Sequence, residues 1–199
     1  MKQVKKYKIS RRLQTPLFEK CQLQKFVVRE QRRTQKRRRR GVSDFGKQLM
    51  EKQKVRYLYG ISERALKNYV KKAVGSTGQS AEGMLAEVLE RRLDNVVYQL
   101  GAALTRRMAR QLVSHGHFTV NGRRVTVPSY QVRDSDVVGI REGSINTPLF
   151  RTMVAGSIIR PRVKWVSWDA KVRQGAISGK PVAVDDLFSL PIILEYYSR

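Results

Sequence analysis

The sequence predicts an α+β fold in two parts: a mainly helical domain with a basic N-terminal arm, and helices packed on a small antiparallel β-sheet. Three observations carry this. After Ser62 the apolar residues Leu66, Tyr69, Val70 and Ala73 recur at helical spacing. Between Glu90 and Val138 the period switches from helical to twofold, through Asn121-Gly122, a strong two-residue hairpin signal. The run Gly75-Ser76-Thr77-Gly78-Gln79-Ser80 separates the two regions and reads as a linker by composition.

Residues 1–42 form the arm. They hold few periodic apolar positions and include Lys36 to Gly41, five cations and a glycine, which repel one another and do not fold alone. The arm is expected to be disordered in the free protein and to become ordered on a polyanion. From Asp44 to Tyr59 the chain predicts a helix capped by Ser43. Ser62 caps a second, with Leu66, Tyr69, Val70 and Ala73 on one face. Leu85, Leu89, Leu93, Val96, Val97 and Leu100 form one apolar stripe, hence one long helix, ended by Gly101 in a left-handed cap. Thr105 caps the next helix, which turns Met108, Ala109, Leu112 and Val113 inward and stops at Gly116. Phe118 and Val120 alternate before the hairpin turn, and Val125 and Val127 alternate after it. Asp136 to Val138 reads as a strand, Thr147-Pro148 as a helix start with Phe150, Met153 and Val154 behind it, and Val163 to Val166 as another strand. Gly175, Gly179 and Pro181 read as breaks. The apolar tail Pro191 to Arg199 is expected to dock on the helical domain.

Charge narrows the function. The 199 residues carry 41 Lys and Arg against 16 Asp and Glu, a net +25, which opposes compaction until a polyanion neutralises it. Residues 1–50 alone hold 17 cations against 3 acids, and residues 91–141 hold 9 against 3. Nucleic acid is the first candidate; a membrane surface is the second, with no long apolar run to support it. No apolar segment follows the basic start as a signal peptide requires, so a cytoplasmic protein is expected. Cys21 is the only cysteine, expected as a reduced thiol, and His115 with His117 lack the further ligands of a metal site; neither metal nor cofactor is expected. No nucleophile with a partnered base, phosphate loop or paired-carboxylate cleft emerges, so the chain reads as a non-enzyme.

The candidate contacts are basic. Arg106 and Arg110 lie one helical turn apart with Arg107 beside them, at the start of a helix whose dipole and free N–H groups favour phosphate. That face carries no acidic partner in the reading of the sequence. His117, Arg123 and Arg124 adjoin it from the hairpin. Lys47 and Lys54, and Lys52 and Arg56, repeat at helical spacings in the first domain. Arg92-Leu93-Asp94 matches a run found around the catalytic aspartate of pseudouridine synthases. Here it falls mid-helix, where Asp94 reads as a surface residue or a partner of Arg91 or Arg92.

ERRLDNVV (Glu90 to Val97) and ARQLVSHGHFTVNGRRV (Ala109 to Val125) closely resemble the bacterial small-subunit ribosomal protein S four family. The central stretch alone is similar to a wider RNA-binding module, shared with tyrosyl-tRNA synthetases, pseudouridine synthases and a heat-shock RNA-binding protein. SRRL (Ser10 to Leu13), EKQKVRYLYG (Glu51 to Gly60), Ser62 to Arg64 and EYYSR (Glu195 to Arg199) extend the likeness along most of the chain. Three departures stand out. Only Cys21 remains where many members carry zinc-binding cysteines, so the chain resembles the zinc-free form. Gln31 to Gly41 replaces the usual Pro- and Gly-containing loop, and Asp134-Ser135 replaces a Pro-Gly pair.

The resemblance implies a helical domain over 43–80 completed by the tail 180–199, with the RNA-binding module inserted as 81–179. It implies a structural constituent of the small ribosomal subunit that binds rRNA, nucleates assembly of the 5′ domain, and contacts ribosomal protein S five. With that partner it would support translational accuracy and flank mRNA where it enters the subunit. The implied RNA contacts are Arg11, Arg12, Arg37, Arg38, Arg39, Arg40, Lys47, Lys52, Lys54, Arg56, Arg106, Arg107, Arg110, Gln111, Ser114, His115, His117, Asn121, Arg123 and Arg124. An RNA-modifying enzyme using Asp94, or a general stress-related RNA-binding protein, are the alternatives.

Overall fold

The computed structural model describes residues 5–24, 26–27, 43–148, 150, 163–169, 171–181 and 187–198. In chain order these form α1 (Lys6–Leu13), a 3₁₀ turn (Glu19–Cys21), α2 (Asp44–Tyr59), α3 (Glu63–Val74), α4 (Ala81–Glu90), α5 (Leu93–Gln99), α6 (Arg106–Ser114), β1 (Phe118–Val120), β2 (Arg123–Arg124), β3 (Val137–Ile140), α7 (Glu142–Ile145), β4 (Val166–Asp169), β5 (Gln174–Ile177) and α8 (Leu190–Ser198). Contacts divide the chain into two units, residues 1–75 with 185–199, and residues 76–184.

In the first unit, short side chains start the helices by accepting otherwise orphaned N–H groups. Ser43 Oγ accepts from Gly46 N at 3.2 Å and Ser62 Oγ from Ala65 N at 3.2 Å. Gly60, at φ +62°, turns the chain between α2 and α3. Leu66, Val70 and Ala73 are buried, as is Val55 of α2. α8 packs on α2 and α3, burying Ile193 completely. Full burial of one such side chain is worth roughly 1.5–3 kcal/mol. Ser189 N donates to Glu51 Oε2 at 2.9 Å, fixing the approach to α8.

The expectation of a wholly disordered arm is corrected over residues 6–21. Leu13, Leu17 and Cys21 recur every four residues and are 4%, 3% and 0% exposed. α1 packs against α2 and against the 3₁₀ turn, so these three side chains supply the apolar burial that composition alone hid. Lys36 to Gly41 lie outside the described residues.

In the second unit the expected long helix is two. Glu90 ends α4, and Arg92 is extended (φ −63°, ψ 134°) before α5 begins. A loop claims the backbone groups that a continuous helix would use: Val132 N donates to Arg91 O at 2.9 Å, Leu93 N to Tyr130 O at 2.8 Å and Asp94 N to Pro128 O at 3.2 Å. The same loop explains why the return strand is short. β2 stops at Arg124, and Val127, expected to alternate inward, is 54% exposed.

α5 and α6 end identically. Gly101 (φ +85°) and Gly116 (φ +74°) follow the last turns. Ala102 N reaches Val97 O at 3.2 Å with Gly101 N on Tyr98 O at 3.0 Å; His117 N reaches Leu112 O at 3.2 Å with Gly116 N on Val113 O at 2.8 Å. Both are Schellman caps. Thr105 Oγ1 accepts from Met108 N at 3.1 Å at the start of α6.

The strands form one antiparallel sheet in the order β2-β1-β3-β5-β4. Asn121 and Gly122 both have positive φ, 50° and 78°, as a type I′ turn requires. Phe118, Val120, Val138, Ile140, Val166 and Ile177 pack on Leu93, Val96, Val97, Leu100, Leu112 and Val113. Gly175, expected to break structure, lies inside β5, opposite Val138 on one side and Trp168 on the other. A Cβ there would stand 2.6 Å from Leu100 Cδ2, so the glycine admits the end of α5 onto the sheet. The turn that departs from the family pattern puts Ser135 at φ +70°, with Asp136 N on Arg133 O at 3.2 Å. Of the helix expected after Thr147, Pro148 and the buried Phe150 are helical; residues 151–162 lie outside the described residues.

Candidate nucleic-acid interface

α6 is nine residues, about 13 Å long. Its inward face is Ala109, Leu112 and Val113, all buried. Residues 107, 111, 114 and 115 are exposed along its other side, with Arg106 and Arg110 partly so. No acid lies in its first turn. Two arginines therefore stand at the positive end of the dipole, an arrangement that disfavours the isolated helix and favours a bound anion.

The expectation that this face lacks an acidic partner is corrected. Arg110 Nη1 lies 3.7 Å from Asp94 Oδ2. Asp94 is not on a helix surface; it is 4% exposed in the first turn of α5, gripped by Arg92 through Nε at 3.0 Å and Nη2 at 2.6 Å. Burial pushes its carboxyl above the usual range, against the pull of the Arg92 and Arg110 guanidiniums. Arg106 Nε donates to Asn95 Oδ1 at 2.9 Å, and its guanidinium lies over the Tyr98 ring, 4.5 Å from the centroid. Asn95 Nδ2 in turn donates to Glu90 Oε2 at 2.9 Å and Gln99 Nε2 to the same oxygen at 3.1 Å. Glu90, Asn95 and Gln99 are all buried. The sequence signal for this network was a polar pair, Asp94-Asn95, within the apolar stripe; reading it as helix surface concealed it.

The hairpin joins the far end of α6. Arg124 Nη2 donates to His115 O at 3.3 Å, and its guanidinium lies where a Cβ on Gly116 would stand. Arg123, Arg124 and His115 are exposed. Two members of the expected set are instead engaged within the domain. Asn121 Nδ2 donates to Asp136 Oδ1 at 2.8 Å and its Oδ1 accepts from Val137 N at 2.9 Å, tying the turn to β3. His117 Nδ1 lies 3.0 Å from Ser144 Oγ and its ring packs on Phe150. Burial lowers its pKa, and repulsion of its charged form by His115, Arg141 and Arg124 lowers it further. Ser114 Oγ donates back to Arg110 O at 2.9 Å.

In the first unit, Lys52 is corrected outright. It is 6% exposed, its Nζ 3.0 Å from Glu63 Oε1, 3.2 Å from the Tyr196 hydroxyl and 4.3 Å from that ring's centroid. Buried among these partners, it is a cross-brace between α2, α3 and α8 and not a surface cation. Lys54 pairs with Glu51 at 2.6 Å and Arg56 with Glu63 at 3.0 Å, both partly buried. Lys47 pairs with Asp44 at 3.0 Å in the open, a contact that solvent weakens. Arg12 is exposed and Arg11 lies over the Phe26 ring. Arg37 to Arg40 lie outside the described residues. Among the described residues no cluster of His, Cys, Asp and Glu could hold a metal ion, and no helix is long and apolar enough to cross a membrane.

Comparison with known proteins locates this geometry. A profile described as "Ribosomal protein S4/S9 N-terminal domain" matches residues 2–93, and one described as "S4 domain" matches residues 91–138, which span α5, α6 and the hairpin. Relatives named "Small ribosomal subunit protein uS4" include that of Acetivibrio thermocellus, 45% identical over 162 residues, covering 79% of this chain and 76% of the relative. That of Desulfitobacterium hafniense is 48% identical over 161 residues, with the same coverages. That of Thermotoga maritima is 40% identical over 166 residues, covering 81% of this chain and 78% of its own.

Proposed function

The chain belongs to the uS4 family of small ribosomal subunit proteins, and from that premise we propose that it binds small-subunit rRNA through the α6 face and the β1–β2 hairpin. The relatives carry the name of a ribosomal protein and not of an enzyme. The observation that supports the contact most is a first turn of α6 that holds no acid of its own, with Arg106, Arg107 and Arg110 on that helix and Arg123 and Arg124 beyond its other end. Guanidinium forks match phosphate oxygens, and RNA helices offer backbone and shape more readily than base edges. Lys47, Arg11, Arg12 and the run Arg37 to Arg40 extend the cationic set. Such contacts clamp several RNA helices at one junction, which is how the protein nucleates the 5′ domain during assembly. Association with ribosomal protein S five, a role in decoding accuracy and proximity to mRNA where it enters the subunit complete the reading.

Stoichiometric recovery of the protein in purified small subunits tests the assignment. Salt-dependent binding to a 5′-domain transcript tests the site. Each phosphate contact removed by Ala at Arg106, Arg107 or Arg110 lowers the slope of log affinity against log salt by about 0.7–0.9. A folded triple-Ala variant with the original affinity and slope would remove α6 from the interface.

A further inference from the structure

Two buried polar paths lead out of the second unit's core, and both end on the α6 arginines. The first runs from Glu90, 0% exposed, to Asn95 and then to Arg106. The Asn95 amide has only one workable orientation here. Its NH₂ faces the Glu90 carboxylate and backbone carbonyl, at 2.9 and 3.0 Å, and reversing it would set oxygen against oxygen. Its Oδ1 is thereby aimed at Arg106 Nε. The second path runs from Arg92 through both carboxylate oxygens of Asp94 to Arg110.

These groups are costly where they are. They are buried beside, or on, the helix that gives Leu93, Val96, Val97 and Leu100 to the apolar core, and buried ions often stabilise a fold less than apolar residues of the same shape. What they share is their end point: two guanidiniums one helical turn apart. Arg106 is restrained by its Nε–H hydrogen bond to Asn95 and Arg110 by an ion pair with Asp94 at 3.7 Å, and a fork restrained before binding loses less freedom when it meets phosphate.

We infer that Asn95 and Asp94 are positioning residues for RNA binding: Asn95 presets the Arg106 guanidinium and Asp94 presets that of Arg110. The inference rests on the reading of the α6 face as a phosphate contact. It gives Asp94 a sign opposite to charge alone. Removing a carboxylate from a phosphate-binding face should tighten binding if only electrostatics mattered; here it weakens binding.

The experiment measures binding of the full chain to a 5′-domain rRNA transcript at several salt concentrations, with thermal melts to confirm folding. Arg106→Ala and Arg110→Ala come first: if both keep wild-type affinity and slope, the α6 reading itself has failed. If they weaken binding, Asp94→Asn and Asn95→Ala are each expected to weaken it about three- to tenfold. Asp94→Asn should add nothing in the Arg110→Ala background, and Asn95→Ala nothing in the Arg106→Ala background. Unchanged or tighter binding overturns the inference, as does equal weakening in both backgrounds, which marks a general effect on the fold. A wild-type measurement serves where a variant does not fold. In the free protein, ¹⁵N relaxation should show the Arg106 Nε–H more ordered than that of the exposed Arg107; equal mobility overturns the presetting of Arg106.

Discussion

The hydroxyl of Tyr197 donates to Glu63 Oε1 at 2.6 Å, joining residues 134 apart in sequence. The same oxygen accepts from Lys52 Nζ at 3.0 Å. Burial alone would raise the Glu63 carboxyl, but the Tyr197 hydroxyl and the Lys52 ammonium outweigh it, and the net shift is downward from 4.5. Tyr197 moves upward from 10.0, through burial first and then through Glu63. Between the folded and unfolded values of Glu63 the unfolded chain binds more protons, so its contribution is lost as pH falls below about 4.5. For Tyr197 the folded chain binds more, so its contribution is lost as pH rises above 10.0. Melting curves of Glu63→Gln should show a flatter acid limb than wild type, and those of Tyr197→Phe a flatter alkaline limb. Limbs as steep as wild type in both would discount this contact.

Lys52 should matter for stability and not for RNA. Lys52→Met removes a buried ammonium from Glu63, which keeps Tyr197 and Arg56 as partners and whose side chain, 42% exposed, can rehydrate the vacated side. The expected loss is about 1–3 kcal/mol, below that for a fully buried pair. The salt slope of RNA binding should stay at the wild-type value; a drop of one contact would return Lys52 to the interface.

Ser135 holds φ +70° at the third position of its turn, where glycine is preferred. Ser135→Gly should stabilise the second unit by roughly 0.5–1 kcal/mol through relief of left-handed strain. Gly101→Ala imposes the same strain at the end of α5 and should cost about 1–2 kcal/mol. Chemical denaturation of the pair gives shifts of opposite sign; shifts of the same sign would refute the argument from φ.

Cys21 is fully buried within the folded part of the arm. A thiol reagent should modify it only at the rate at which residues 6–21 open, many times slower than in denaturant. Labelling of the native chain as fast as of the unfolded one would restore a disordered arm.

What the sequence revealed was local. Ser43, Ser62 and Thr105 cap helices through N–H groups three residues on, and Gly101, Gly116 and Asn121-Gly122 act within their own turns. Such chemistry is complete within a short window. The break at Arg92 escaped because Leu89 and Leu93 stay in phase across it; only the loop at Tyr130 and Val132, some forty residues on, interrupts the ladder. Gly175 needs Leu100 to make sense, and Lys52 needs Glu63 and Tyr196. The α6 arginines were legible as charge, but the acid and amide that hold them were not, because Asp94 and Asn95 are oriented by partners on both sides of that same break.

The docking of α8 on α2 has a consequence for the order of manufacture. α8 leaves the ribosome after all of residues 76–184, so the first unit, begun before the second, is closed only after the second has been made. Until residues 193 and 196 appear, the seat of Ile193 stands open to water and Lys52 lacks Tyr196. A product cut short there keeps the RNA-facing helix yet has an unsealed first unit, which exposes it to proteases and chaperones. Only a chain translated through α8 hides that surface.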